Sequence, residues 1–335
     1  MGSPPAEVAA VRRAVRRELS DLSSGSMVLV ACSGGADSLA LAGATAFVAP
    51  RMGLRAGAVT VDHGLQSGSA ERAGEFAETL HGLALQPVEV RSVAVTGTGG
   101  PEGAARTARY AALTAGAQKH GAAAILLGHT RDDQAETVLL RLARGSGARS
   151  LAAMAPRSGR YRRPFLDLDR TTVRVACTRL GLVPWEDPHN IDSAYARARV
   201  RSSALPALQE ALGPGVAAAL ARSAALLRDD ADALDEAAVT ALAQCRHPGG
   251  GANVGTLAGF SRAIRTRVLR QLASGAGVPD GALGLVHVGE LDRLVTDYRG
   301  QSHVDLPGGV RARRASGWLF LEQTTRSGQS TAGLP

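Results

Sequence analysis

The chain has 335 residues, 45% of them hydrophobic and 20% charged, with a formal net charge of +8. That length and apolar fraction exclude a disordered polyelectrolyte and predict a main domain plus a smaller one. Its cysteines, Cys32, Cys177 and Cys245, are far apart and form no CxxC, so neither a disulfide framework nor a zinc module is suggested. No window reaches 18 uninterrupted apolar residues, and the Arg-rich N-terminal stretch to Leu22 lacks a signal-like apolar core, so a soluble, cytoplasmic protein is expected.

In chain order, a helix is predicted over Pro5–Leu19. Strand-like runs at Met27–Cys32, Leu54–Val61, Gln86–Val93 and Ala122–Gly128 then alternate with helix-like runs near 37–49, 69–82, 102–120 and 131–144. This βαβα alternation predicts an α/β fold, a doubly wound parallel sheet whose ligands bind beyond the carboxyl ends of the strands. The tract Ser146–Arg163, rich in Gly, Ser, Arg and Pro, reads as a mobile loop. Pro164–Leu208 reads as helical around a loop at Pro184–Asp192. Pro214–Ala243 and Phe260–Ala273 read as helices, and Gln301–Glu322 as strands with turns at Pro307–Gly309 and Ser316–Gly317, a smaller C-terminal α+β appendage. The expected domains are 1–210 and 211–325, with a disordered tail at 326–335.

Three stretches carry chemistry. Ser33-Gly34-Gly35-Ala36-Asp37-Ser38 links a strand to a helix start, where backbone N–H groups and the helix N-terminus suit a phosphate. It lacks the lysine of a Walker loop, so it favours cleavage between the α- and β-phosphates over γ-phosphoryl transfer; standing alone, it can also be an ordinary βα turn. In Gly128-His129-Thr130-Arg131-Asp132-Asp133-Gln134-Ala135-Glu136-Thr137, Thr130 is a helix N-cap and Val138, Leu139 and Leu142 are expected to be buried. Asp133 and Glu136 then share one helical face and can point at a metal or an ammonium group. The third stretch, Trp185–Asn190 followed by Arg197, Arg199 and Arg201, places Arg197 and Arg201 on one face, able to bracket a phosphate.

Two further signals are weaker. Asp62-His63-Gly64 ends the second strand, where an adenosine moiety lies in a doubly wound sheet, although such a pair is as often a turn hydrogen bond. Glu102, Arg106, Arg109 and Tyr110 read by spacing as a salt-bridged helix face. Charge is uneven: 12 basic residues face 13 acidic ones in 1–140, 13 face 5 in 141–201, and 13 face 12 in 202–335. A basic tract that local fits a nucleic-acid partner.

Together SGGADS at 33–38, VDHGLQ at 61–66, EGAARTARY at 102–110, GHTRDDQAETVLLRLARGSG at 128–147 and WEDPHN…RARVR at 185–201 resemble the tRNA(Ile)-lysidine synthetase family of PP-loop ATP pyrophosphatases, in a short form. The resemblance implies that ATP adenylates the C2 carbonyl oxygen of the wobble cytidine of a CAU-anticodon tRNA(Ile), releasing pyrophosphate, and that the ε-amine of free L-lysine then displaces AMP. It implies ATP binding by Ser33, Gly34, Gly35, Ala36, Asp37, Ser38, Asp62, His63, Gly128 and His129. Mg²⁺ is expected on Asp37, lysine on Asp133 and Glu136, and phosphate charge or tRNA backbone on Arg197 and Arg201, with Asp37, Asp133, Glu136, Arg197 and Arg201 catalytic. The chain departs from the family pattern at Gln66, where Arg is usual, and at Ala198, where Asn is usual. A PP-loop tRNA thiolase would need cysteines for sulfur transfer, PP-loop amide synthetases have no use for the arginine tract, and a non-catalytic RNA-binding module has no use for carboxylates near polyphosphate.

Overall fold

The structure, a computed structural model, describes residues 3–62, 68–94, 100–185, 192, 194–247, 250–279 and 281–324. The expected tail at 326–335 therefore lies outside the described residues. Contacts divide the chain into two units, Met1–Arg228 and Asp229–Pro335.

The first unit opens with α1 (Ala6–Leu19), whose Val8, Val11, Val15 and Leu19 recur every three or four residues and form a buried stripe. Then β1 (Met27–Ala31), α2 (Ala36–Arg51), β2 (Arg55–Asp62), α3 (Ser69–Gly82), β3 (Val88–Ser92), α4 (Gly100–Lys119), β4 (Ala122–Leu126) and α5 (Arg131–Leu142) alternate as the pattern predicts. The strands pair in the order β3-β2-β1-β4, all parallel. The chain builds outward from β1 to β3 and then returns to β1's other side with β4. The order thus reverses between β1 and β4, so the loops leaving these two strands flank one crevice.

One sheet face is covered by α1, α2 and α7 (Arg170–Arg179), through Val11, Val15, Leu39, Leu41, Val173 and Cys177. The other face packs Leu29, Val59 and Ile125 against Leu113 and Ala117 of α4.

Two expectations fail here. The tract 146–163 is not a loose loop: α6 (Ala148–Leu151) and the hairpin of β5 (Arg157–Ser158) with β6 (Tyr161–Arg162) occupy it, and β6 joins the sheet beside β4. The Gln134 side chain pins it by bonding both ways to the Met154 backbone, at 2.7 and 2.9 Å, and Arg162 grips Asp21 at 2.6 and 2.9 Å. That hydrogen bonding holds the Asp21 carboxyl down at about 2. Leu142 is 56% exposed, because the buried face of α5 begins instead with Asp133, Gln134, Ala135 and Glu136. Pro164–Leu208, by contrast, is helical on both sides of the expected loop, much of which lies outside the described residues: α7 precedes it, and α8 (Ala196–Arg199), a π-helical turn (Val200–Ala204) and α9 (Leu205–Leu212) follow without a break.

The long helix α10 (Val216–Cys245) carries the point where the units divide. Its first turn belongs to the first unit because Ala217 packs with Ala135 and Leu205. The second unit continues with β7 (Ala252–Asn253), α11 (Val254–Gly259), α12 (Arg262–Gly275), α13 (Leu285–Thr296), β8 (Val304–Leu306), β9 (Val310–Ala315) and β10 (Trp318–Gln323). Its antiparallel sheet runs β7-β10-β9-β8, over a core that includes Leu257, Val268, Leu269, Leu291 and Leu319.

Within the first sheet, a Cβ added at Gly57 of β2 would come to 2.5 Å from the Pro87 carbonyl oxygen and 2.9 Å from Leu29 Cδ2. Gly57→Ala is therefore expected to lower stability by about 1–3 kcal/mol through overpacking. A urea midpoint equal to wild type would contradict that close approach.

Candidate active site

The turn at 33–38 folds onto itself before α2 begins. The Ser38 hydroxyl donates to the Gly35 carbonyl at 2.9 Å and accepts from the Ser33 N–H at 3.2 Å. Gly34 has a φ of 80°, and a Cβ there would collide with the Phe76 ring, so no other residue fits without strain. The first-turn N–H groups of α2 have no partner inside the helix, which leaves donors and a positive helix end available for an anion. Gly128, just beyond β4, lets that strand end approach this loop, since a Cβ would sit 3.0 Å from the Asp37 carbonyl oxygen.

Asp37 lies in the first turn of α2, and its Oδ1 is buried with no hydrogen-bond partner among the described residues. Burial, reinforced by the charge of Asp133, pushes its carboxyl up to about 6, against opposing pulls from Arg170 and Arg201. The turn after β1 and the helix after β4 thus share one electrostatic environment.

Across the crevice, Thr130 caps α5 as expected. The cap is reciprocal: Asp133 Oδ2 accepts from the Thr130 N–H at 2.8 Å and from its hydroxyl at 2.9 Å. The other oxygen, Oδ1, faces three guanidinium groups, those of Arg170 at 2.9 Å, Arg197 at 3.1 Å and Arg201 at 3.3 Å. Glu136, 0% exposed, meets the same three: Arg170 at 3.0 Å, Arg197 Nε at 2.9 Å and Arg201 Nε at 2.8 Å. Burial alone would raise both carboxyls, yet the arginines outweigh it, holding Asp133 at about 2 and Glu136 below the usual carboxylate range.

Arg197 and Arg201 share a face as their spacing requires, and that face is turned toward carboxylates. Arg170 is the partner that sequence reasoning missed. One signal was available: Arg170 is the first residue of α7, where a cation opposes the helix dipole, so its placement needs another cause. Asp132 explains the neighbouring backbone, accepting the Arg170 N–H at 2.8 Å.

His129 is half-buried, and its Nδ1 is buried with no hydrogen-bond partner among the described residues. Burial, with the Arg163 and Arg109 charges, drives its pKa down to about 3, so the imidazole is neutral near pH 7. Of the expected salt-bridged face of α4, the Glu102 side chain lies outside the described residues; Arg106 bonds the Tyr110 hydroxyl at 3.3 Å, and burial together with Arg106 and Arg197 lowers the Arg109 pKa. Asp62 ends β2 as a buried residue. His63, Gly64, Gln66 and Glu186–Asn190 lie outside the described residues. Trp185 is tied to the 33–38 turn through its N–H, which donates to the Gly34 carbonyl at 3.0 Å. Ala198, where the family pattern has Asn, is buried.

A family model for the PP-loop domain matches residues 9–208, and one for the TilS substrate binding domain matches residues 253–320. Fold, loop and match define the chain as a PP-loop enzyme that uses ATP. It is 65% identical to the tRNA(Ile)-lysidine synthase of Thermobifida fusca, over 96% of this chain and 99% of that protein. It is 55% identical to that of Streptomyces coelicolor, over 96% of this chain and 100% of that protein. The chain belongs to the tRNA(Ile)-lysidine synthase family of ligases. A U34-tRNA thiolase from Methanococcus maripaludis has a similar fold, with a TM-score of 0.54 at 20% identity, covering 67% of this chain and 80% of that one.

Asp37 yields a stability prediction with a definite sign. Its folded value of about 6 lies above the ordinary aspartate value of 3.8, so the ionised carboxylate costs stability above about pH 6, and the cost fades as pH falls toward 4. A shift of about two pKa units corresponds to up to about 3 kcal/mol. Asp37→Asn should therefore raise the melting temperature at pH 8 and leave it unchanged near pH 4. Equal effects at both pH values would mean that Asp37 is solvated.

Proposed function

We propose that this protein ligates L-lysine to C2 of the wobble cytidine of CAU-anticodon tRNA(Ile) in two steps at one crevice. ATP first adenylates the C2 carbonyl oxygen and releases pyrophosphate; the lysine ε-amine then displaces AMP to give lysidine. The observation that carries this reading is the meeting of a lysine-free anion loop and a buried carboxylate pair at the reversal point between β1 and β4.

In this reading Ser33, Gly34, Gly35, Ala36 and Ser38 hold the phosphates, Gly128 admits the nucleotide close to the loop, and Asp62, at the end of β2, serves the adenosine. Neutral His129 can accept or donate one hydrogen bond without adding charge. The orphaned Asp37 Oδ1 fits one ligand of a Mg²⁺ carried on the phosphates, which would neutralise charge on the leaving pyrophosphate. Asp133 and Glu136 receive the substrate lysine, and one of them takes the proton released when the uncharged amine attacks. Arg197 and Arg201 serve phosphate charge or the tRNA backbone.

Nucleic-acid binding rests less on the net charge of 141–201 than its count suggests, because the protein itself engages much of that tract. Arg157 pairs with Glu18 and Arg162 with Asp21, while Arg141 and Arg163 bond backbone carbonyls. Sulfur transfer fits poorly: all three cysteines are buried, and burial pushes the Cys177 thiol up to about 11. A tRNA-modifying ligase of this kind would act in the cytoplasm, and among the described residues no helix is long and apolar enough to cross a membrane.

Incubation with ATP, Mg²⁺, radiolabelled lysine and tRNA transcripts should leave lysine only on the transcript with a CAU anticodon. Label on no transcript, or on every transcript alike, would refute the assignment. Glu136→Gln is expected to raise the lysine KM at least tenfold, roughly 1.4 kcal/mol, while adenylate formation persists. Equal loss of both activities would move Glu136 out of the lysine site.

A further inference from the structure

We infer that Arg197 and Arg201 occupy the lysine subsite of the unliganded enzyme, and that phosphate must draw them away before L-lysine can enter. The inference rests on the reading of Asp133 and Glu136 as the residues that receive lysine.

Charge counting is the first support. Asp133, Glu136 and Arg170 together carry one net negative charge, the complement of a single ammonium. With Arg197 and Arg201 also paired to the two carboxylates, no net negative charge is left among these five groups to attract that ammonium.

Acceptor capacity is the second. Glu136 Oε1 faces Arg170 at 3.0 Å and Arg201 at 2.8 Å, and Oε2 faces Arg197 at 2.9 Å and Arg201 at 3.1 Å. A carboxylate has about four acceptor sites, so none remains for a lysine. A carboxylate held this way is also a poor proton acceptor, and departure of the arginines would restore its basicity when the amine attacks.

The three arginines differ in how readily they can leave. The Arg170 side chain is 17% exposed and stands on α7, whose Val173, Ala176 and Cys177 are part of the main core. Those of Arg197 and Arg201 are 30% and 32% exposed, on a four-residue helix and the π-helical turn that continues it. Such π-helical turns are local departures from α geometry, frequent at functional sites. They also have somewhere to go, since the Arg201 charge is already felt at Asp37 beside the anion loop. One pair of arginines thus alternates between carboxylate and phosphate, and the order of substrates follows: nucleotide and tRNA before lysine.

Equilibrium dialysis of radiolabelled L-lysine against the full chain tests this. Wild type alone should bind lysine at least tenfold more weakly than wild type with inorganic pyrophosphate and Mg²⁺, or with a CAU-anticodon tRNA transcript. The double variant Arg197→Gln, Arg201→Gln should bind lysine tightly without either addition and gain nothing from them. The inference is overturned if neither the anions nor the double variant changes lysine affinity. A thermal melt checks that the double variant folds; if it does not, the wild-type anion titration decides alone. Glu136→Gln separates the two readings. If it binds lysine like wild type in the presence of the anions, the lysine subsite itself is wrong; if it loses lysine while the anions and the double variant have no effect, the subsite stands and the gating fails.

Discussion

Two carboxylates buried at the start of one helix are the constraint around which the catalytic unit is arranged. Taking an ion out of water costs several kcal/mol even after relaxation, and a partnered ion stripped of its counter-charge destabilises a fold by about 3–5 kcal/mol. Asp133 and Glu136 can stay charged inside only because Arg170, Arg197 and Arg201 close on them. That requirement reaches across the chain: it fixes where α7 begins, brings the 196–204 segment against α5, and turns a polar helix face inward. Folding and chemistry thus draw on the same ion cluster.

The sheet supplies the other half. Because the strand order reverses between β1 and β4, two loops distant in sequence open side by side, one leading into a helix whose first-turn N–H groups have no partner inside the helix and one rich in carboxylates. Asp37 belongs to the first loop but feels the second, through Asp133. An orphaned, partly protonated carboxylate is a strained arrangement that a packed core would not keep, and its position beside an anion loop gives the strain a use.

Much of the first unit was legible in the sequence. The four parallel strands and their helices follow directly from alternating apolar runs, and Thr130 as N-cap follows from its place before Asp133. What escaped did so for physical reasons. The buried stripe of α5 was sought among its aliphatic residues, so Leu142 was misplaced and Glu136 was judged only as a ligand; periodicity counts hydrophobicity and does not see acids buried by distant arginines. Arg170 lies 34 residues beyond Glu136, and nothing local links them. The tract 146–163 looks loose by composition, yet Gln134 and Arg162 anchor it through side-chain to backbone and ion-pair contacts that composition cannot express. In the second unit α13 went unread, since Gly284 and Gly289 dilute a stripe made by Val288, Leu291, Leu294 and Val295. The functional stretches were readable chiefly as a set, because each one alone has an ordinary structural explanation.

The two oxygens of Asp133 serve different masters: Oδ2 closes the cap on Thr130 while Oδ1 answers the guanidinium groups. Asparagine there keeps an acceptor for the cap but gives up the charge, whereas glutamate, the usual partner of a threonine cap at this position, keeps the charge and carries it one methylene further. Comparing these two replacements separates damage to the scaffold from damage to reactivity, which alanine at the same position would confound.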